Sequence, residues 1–195
     1  MNIKKIVYDV DDVLWGLNKR VADKIGIDEN KITHFVIKDN YLLSKKEQEA
    51  IINEYHNNKT FENIEWYDGI EEILKPKEFG IDILINSNCL TNEMVELKTE
   101  QLLDIIDIEK EKIKCNLIDT STATKKKIDE DTDILVEDSP FNISISPAKL
   151  NILINHPWNM SEHAIELIKN KNVVRVNSLK EANEYIYNLC IENNS

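Results

Sequence analysis

A chain of 195 residues is long enough for one ordinary domain carrying a small insertion, and a chain near this size hides roughly 70% of its unfolded surface on folding. Its 42% hydrophobic and 31% charged content is that of a folded globular protein and excludes a disordered one. The net charge of −12, with no basic run longer than Lys125-Lys126-Lys127, argues against a DNA or RNA polymer as partner.

In chain order, short apolar runs alternate with helical patterns. "KKIVYDV" is β-branched and almost continuously apolar, as a strand buried on both faces should be. "GIDILINS" (80–87), "TDILVED" (132–138), "LNILIN" (150–155) and "NVVRVN" (172–177) repeat the type. Helices are predicted near 91–104, 161–170 and 178–190, with Thr91, Ser161 and Ser178 as caps. This alternation implies an α/β fold with a parallel sheet covered on both faces. Residues 17–77 break the rhythm. They read as helical and irregular, with "KKEQEAIINEYHNN" as their clearest helix, and a connection this long suggests a lid. The expected division is a core of 1–16 and 78–195 with 17–77 as an inserted helical cap.

Three cysteines, Cys89, Cys115 and Cys190, are widely spaced and form no CxxC, which argues against a disulfide framework or a zinc site. No apolar run approaches the roughly 20 residues of a membrane span. A cytoplasmic, reducing location with no membrane partner is the expectation. A monomer and a homodimer both stay open.

Chemistry concentrates at the end of the first apolar run. In "IVYDVDDVLWGLN" (6–18), Asp9 and Asp11 follow a predicted strand. In open parallel sheets this carboxyl end is where ligands bind. The strand period of two sends both carboxylates to one side. Two carboxylates aimed at one point need a cation or a shared proton, and hard oxygen ligands favour Mg²⁺. One carboxylate can attack phosphorus while its neighbour gives and takes the proton.

This DxDxV pattern resembles the first motif of the haloacid-dehalogenase superfamily, whose hydrolases are mainly phosphatases. Its later motifs have matches in order. "ILINSN" (83–88) is similar to the second, a strand ending in Ser or Thr; Ser87 and the backbone N–H of Asn88 would hold a phosphate oxygen. "TATKKKID" (122–129) supplies a lysine to offset the phosphate charge, with Lys126 or Lys127 favoured over Lys125. "DILVEDSP" (133–140) is similar to the fourth, an acidic pair after a strand. The resemblance implies a Rossmann-like core and a metal held by the side chains of Asp9 and Asp138 and the backbone carbonyl of Asp11. Glu137 would hold metal-bound waters or orient the lysine.

"SPFNI" (139–143) and "ILINHPWN" (152–159) narrow the resemblance to the 5′(3′)-deoxyribonucleotidases. This implies a Mg²⁺-dependent nucleoside-monophosphate phosphatase working through an aspartyl-phosphate. A phosphatase of another small metabolite is the alternative, and a non-catalytic phosphate- or metal-binding protein a third reading. The family usually has Gly where this chain has Asp12, which tolerates unusual φ and can cap the turn. Phe35, Tyr41, Phe61, Trp66 and Tyr67 are candidates for an aromatic clamp or for the insert's own core. Trp15 and Trp158 are expected to pack. His34, His56, His156 and His163 lack metal-ligand spacing and read as surface or turn residues.

Overall fold

β1 (Lys5–Tyr8), β2 (Asp82–Cys89), β3 (Ile113–Leu117), β4 (Ile134–Glu137), β5 (Leu150–Ile154) and β6 (Val173–Val176) form one sheet in the spatial order β3-β2-β1-β4-β5-β6, and every neighbouring pair is parallel. The structure is a computed structural model and describes residues 2–118 and 128–194. The strand order reverses at β1, so the crevice beyond its carboxyl end lies between connections that leave in opposite directions.

Strand periodicity divides the apolar residues between two faces. Ile6, Tyr8, Ile83, Ile85, Ile134, Val136, Ile152 and Ile154 belong to one cluster, while Val7, Leu84, Leu135 and Leu153 belong to another. The first face is covered by α3 (Asn92–Ile105), through Met94 and Leu102, and by α6 (Leu179–Asn194), through Leu179, Ala182 and Ile186. The second is covered by α4 (Pro140–Ile145) through Ile143 and by α5 (Glu162–Ile168) through Ile168. This three-layer arrangement is the α/β reading of the sequence, and it explains why the central strands are apolar without alternation.

The five apolar runs become β1, β2, β4, β5 and β6. β3 escapes the sequence pattern because it is an edge strand: in "IKCNL" only Ile113 is buried, and Leu117 is exposed. Between β1 and β2 lie α1 (Leu17–Ile25), α2 (Lys45–Tyr55) and short 3-10 turns. Ser44 caps α2 in a reciprocal bond pattern with Glu47. The chain leaves and re-enters the core side by side. Trp15 bridges Trp66, Tyr67 N–H donates to Leu14 O at 2.9 Å, and Gly16 N–H donates to Glu65 O at 3.2 Å. Residues 69–79 then pack on α6. There Gly69 (φ +98°) accepts from Asn183 Nδ2 at 2.8 Å, and a Cβ at this position would meet the Lys180 backbone at 3.0 Å. All three cysteines are free, and among the described residues no helix is long and apolar enough to cross a membrane.

Asp133 anchors the amino ends of the strands. Its buried carboxylate accepts from Lys4 N (2.7 Å), Lys5 N (3.0 Å) and Lys149 Nζ (2.6 Å). Burial pushes this carboxyl upward, but the three donors outweigh it and hold it below its ordinary value. Asp133→Ala would strand two backbone donors at the start of β1. It is expected to lower the urea unfolding free energy by about 2–3 kcal/mol without changing the slope.

Candidate active site

The site is built where β1 and β4 end. Asp9 N–H donates to Val136 O at 3.0 Å, so Asp9 continues the sheet. The chain then turns sharply, with Leu14 N–H donating to Val10 O (2.9 Å) and Asp12 N–H to Trp15 O (2.8 Å). Asp12 takes the left-handed conformation at φ +58°, where glycine is the usual occupant. Its carboxylate accepts from Asn18 N (2.9 Å) and Asn18 Nδ2 (2.8 Å), satisfying an amide in the first turn of α1. A cap thus replaces the missing glycine. Burial, and then the nearby Asp138 charge, push the Asp12 carboxyl well above the ordinary carboxylate range.

One oxygen each from Asp9, Glu137 and Asp138 lies within 4.8 Å of the other two, and all three residues are buried. Other groups fix this cluster. Trp158 Nε1 donates to Asp138 Oδ2 at 2.7 Å. Asn142 Nδ2 and Ser139 N donate to Glu137 Oε1 at 2.9 and 3.3 Å. Asn159 Nδ2 donates to the Asp138 carbonyl at 2.9 Å, and Arg175 in turn holds Asn159 O at 2.6 Å. Three buried carboxylates in one place repel unless a cation joins them, and their oxygen donors fit a hard divalent ion such as Mg²⁺. Glu137 thus belongs to the cluster together with Asp9 and Asp138. The Asp11 carboxylate points elsewhere.

Asp11 faces β2 and α3. Lys98 of α3 is buried, and its Nζ donates to Asp11 Oδ2 (2.5 Å), Ser87 Oγ (3.0 Å) and Asn88 O (3.2 Å). Burial opposes its charge, but Asp11 beside it outweighs that and holds the ammonium above the ordinary lysine value. Asp9, Asp11, Asn88, Lys98, Glu137 and Asp138 share one cavity of about 360 Å³, lined from the insert by Ile32, Phe35, Ile37 and Phe61. Ser87 is fully buried beneath Lys98. Lys126 and Lys127, with Lys125, lie outside the described residues.

Lys98 is the residue that the motif reading missed. A signal existed: Met94, Lys98 and Leu102 fall four residues apart on the buried line of α3, a lysine where the pattern asks for an apolar residue. Of the five candidate clamp aromatics, Phe35 and Phe61 line the cavity. Trp66 packs on Trp15, Tyr67 stacks on His156, and Tyr41 is exposed against His34. Trp15 and Trp158 do more than pack, since each donates its indole N–H to a site carboxylate.

No protein-family model matches the chain, and no curated protein matches it at a significant level. Solved structures do resemble it. A haloacid dehalogenase-like hydrolase from Streptococcus pneumoniae superposes with a TM-score of 0.57 at 13% identity, over 94% of this chain and 98% of that one. A candidate phosphatase from Clostridium difficile gives 0.56 at 17%, over 97% and 99%. The L-2-haloacid dehalogenase of Xanthobacter autotrophicus, solved with chloropropionic acid covalently bound, gives 0.53 at 10%, over 95% and 98%. The chain therefore has a haloacid-dehalogenase-like fold.

His156 occupies the turn after β5, half-buried. It stacks on Trp158 at 4.3 Å, and its Nε2–H donates to the Asp12 carbonyl at 2.8 Å. Burial pushes it from 6.5 down to about 4. Between those values the unfolded chain binds a proton that the folded chain refuses. Stability from this group is therefore full above pH 6.5 and falls as pH drops toward 4, by at most about 1.4 kcal/mol per unit. In melting curves from pH 7 to 4.5, His156→Gln should lose less Tm than the parent chain.

Proposed function

We propose that this chain is a metal-dependent phosphomonoester hydrolase working through an aspartyl-phosphate. The observation that carries the reading is the convergence, in one cavity, of the Asp9–Glu137–Asp138 cluster with Asp11 and the buried Lys98. A site for a neutral substrate would have no use for so many opposed charges. A divalent cation would offset the clustered carboxylates and give an anionic ester its counter-charge.

Asp9 attacks phosphorus, and the P–O bond to the leaving alcohol breaks. Asp11 supplies the proton that this alkoxide needs. Asp11 then takes a proton from water, whose oxygen attacks the acyl phosphate, and inorganic phosphate leaves with Asp9 restored. Asn88, which lines the cavity, receives a phosphate oxygen, with the buried Ser87 beside it as the second proposed contact, and Lys126 or Lys127 remains the proposed cation. Asp9 and Asp138, with the Asp11 carbonyl and the neighbouring Glu137, would hold Mg²⁺. When bound, it offsets the charge of the phosphoryl group.

We assign residues 17–77 the part of a cap on a 1–16 and 78–195 core, shielding the reacting groups from bulk water. Nucleoside monophosphates are the favoured substrates. Phe35 and Phe61, aromatic residues that line the cavity from the insert, support this. The three free cysteines agree with a reducing, cytoplasmic setting.

Purified protein with Mg²⁺ should release phosphate from a panel of monoesters, with a nucleoside monophosphate above p-nitrophenyl phosphate and sugar phosphates. Excess chelator should abolish the release, and Mg²⁺ should restore it. Asp9→Asn is expected to cost about 10³-fold or more in kcat. Hydrolysis of 2-chloropropionate in place of any phosphate ester would replace the reading with carbon–halogen chemistry.

A further inference from the structure

Both oxygens of the Asp11 carboxylate are held. Lys98 Nζ donates to Oδ2 at 2.5 Å, and Trp15 Nε1 donates to Oδ1 at 2.8 Å. Two donors on opposite oxygens fix the direction of the carboxylate as well as its place. The lysine is itself immobilised. Its three N–H donors meet three acceptors: Asp11, Ser87 and Asn88. The ammonium also stands 5.0 Å from the centre of the Phe61 ring and 5.8 Å from that of Trp15.

Packing alone does not account for a lysine here. Lys98 lies between Met94 and Leu102 on the buried line of α3 and is 1% exposed. Leucine or methionine would fill that line without the cost of burying a charge and fixing a long side chain. Among the acceptors of this ammonium, Asp11 is the one charged group and the shortest contact.

We propose that Lys98 is the positioning residue for Asp11, acting with Trp15 to keep the proton-transferring carboxylate directed along the wall of the cavity it lines. The inference rests on the reading of Asp11 as the group that protonates the leaving alcohol. It separates Lys98 from the phosphate-binding lysine, because its donors serve Asp11 and the end of β2.

The leaving group tests this. An alkyl phosphate needs a proton delivered to its departing oxygen, whereas p-nitrophenyl phosphate does not, since its phenolate leaves unaided. Lys98→Met, with its melting temperature checked, should lower kcat/KM about 10²-fold or more for an alkyl phosphate and by under about 10-fold for p-nitrophenyl phosphate. Asp11→Asn should show the same split, and the double variant should be no worse than Asp11→Asn alone. Equal losses on both esters with a raised KM would make Lys98 a phosphate ligand and overturn the proposal. If Lys98→Met does not fold, Trp15→Phe removes the other donor and keeps a ring. It should show the same split at about 10-fold, and its absence counts against the proposal. A parent chain inactive on both esters would overturn the phosphatase reading itself, and this inference with it.

Discussion

Like charges crowded out of water are the constraint around which this protein is arranged. Asp9, Asp12, Glu137 and Asp138 are all at most 7% exposed, and they gather where β1 and β4 end. Carboxylates in that position raise one another's cost of ionisation. Each neighbouring element answers with a donor. The turn after β5 brings the Trp158 indole, the start of α4 brings Asn142 and α1 brings Asn18, while α3 brings Lys98 to the adjacent Asp11. The sheet supplies the convergence, because two parallel strands side by side deliver their carboxyl ends to one point.

The parts of this arrangement legible in the sequence are those written as local patterns. The buried strands show as β-branched runs because both of their faces are covered. The acidic residues after the first and fourth motifs could be placed at strand ends from the chain alone. Asp12 was legible too, as an aspartate standing where the resembling family has glycine. The structure adds why it is tolerated, since the side chain caps α1 while the backbone adopts the left-handed turn.

What stayed hidden depends on the third dimension. Lys98 has no local motif; its meaning comes from Asp11, 87 residues away in the chain. The indole bonds of Trp15 and Trp158 are invisible for the same reason, because a buried tryptophan reads as packing until its N–H finds a partner. β3 was missed because an edge strand needs only one apolar side. Residues 119–127, with the Lys126 and Lys127 expectation, lie outside the described structure. The nucleotidase resemblance, which "SPFNI" and the Pro-Trp-Asn turn suggested, is not supported by the similar solved structures, which share only the fold. That turn nevertheless has a clear physical task, since Trp158 and Asn159 both hold Asp138.

The insert is tied to the sheet in two ways. Its entry and exit are paired by backbone bonds at Trp15 and Trp66, and its buried side chains, among them Val21, Ile51 and Phe61, join the same apolar cluster as Ile6 and Ile85 of the sheet. A lobe built this way borrows its interior from its host. Grafting it onto another scaffold would leave its oily side facing water, and excising it would bare the host's. The shared cluster couples the two, and any exchange of this segment for another has to rewrite the face of the sheet beneath it.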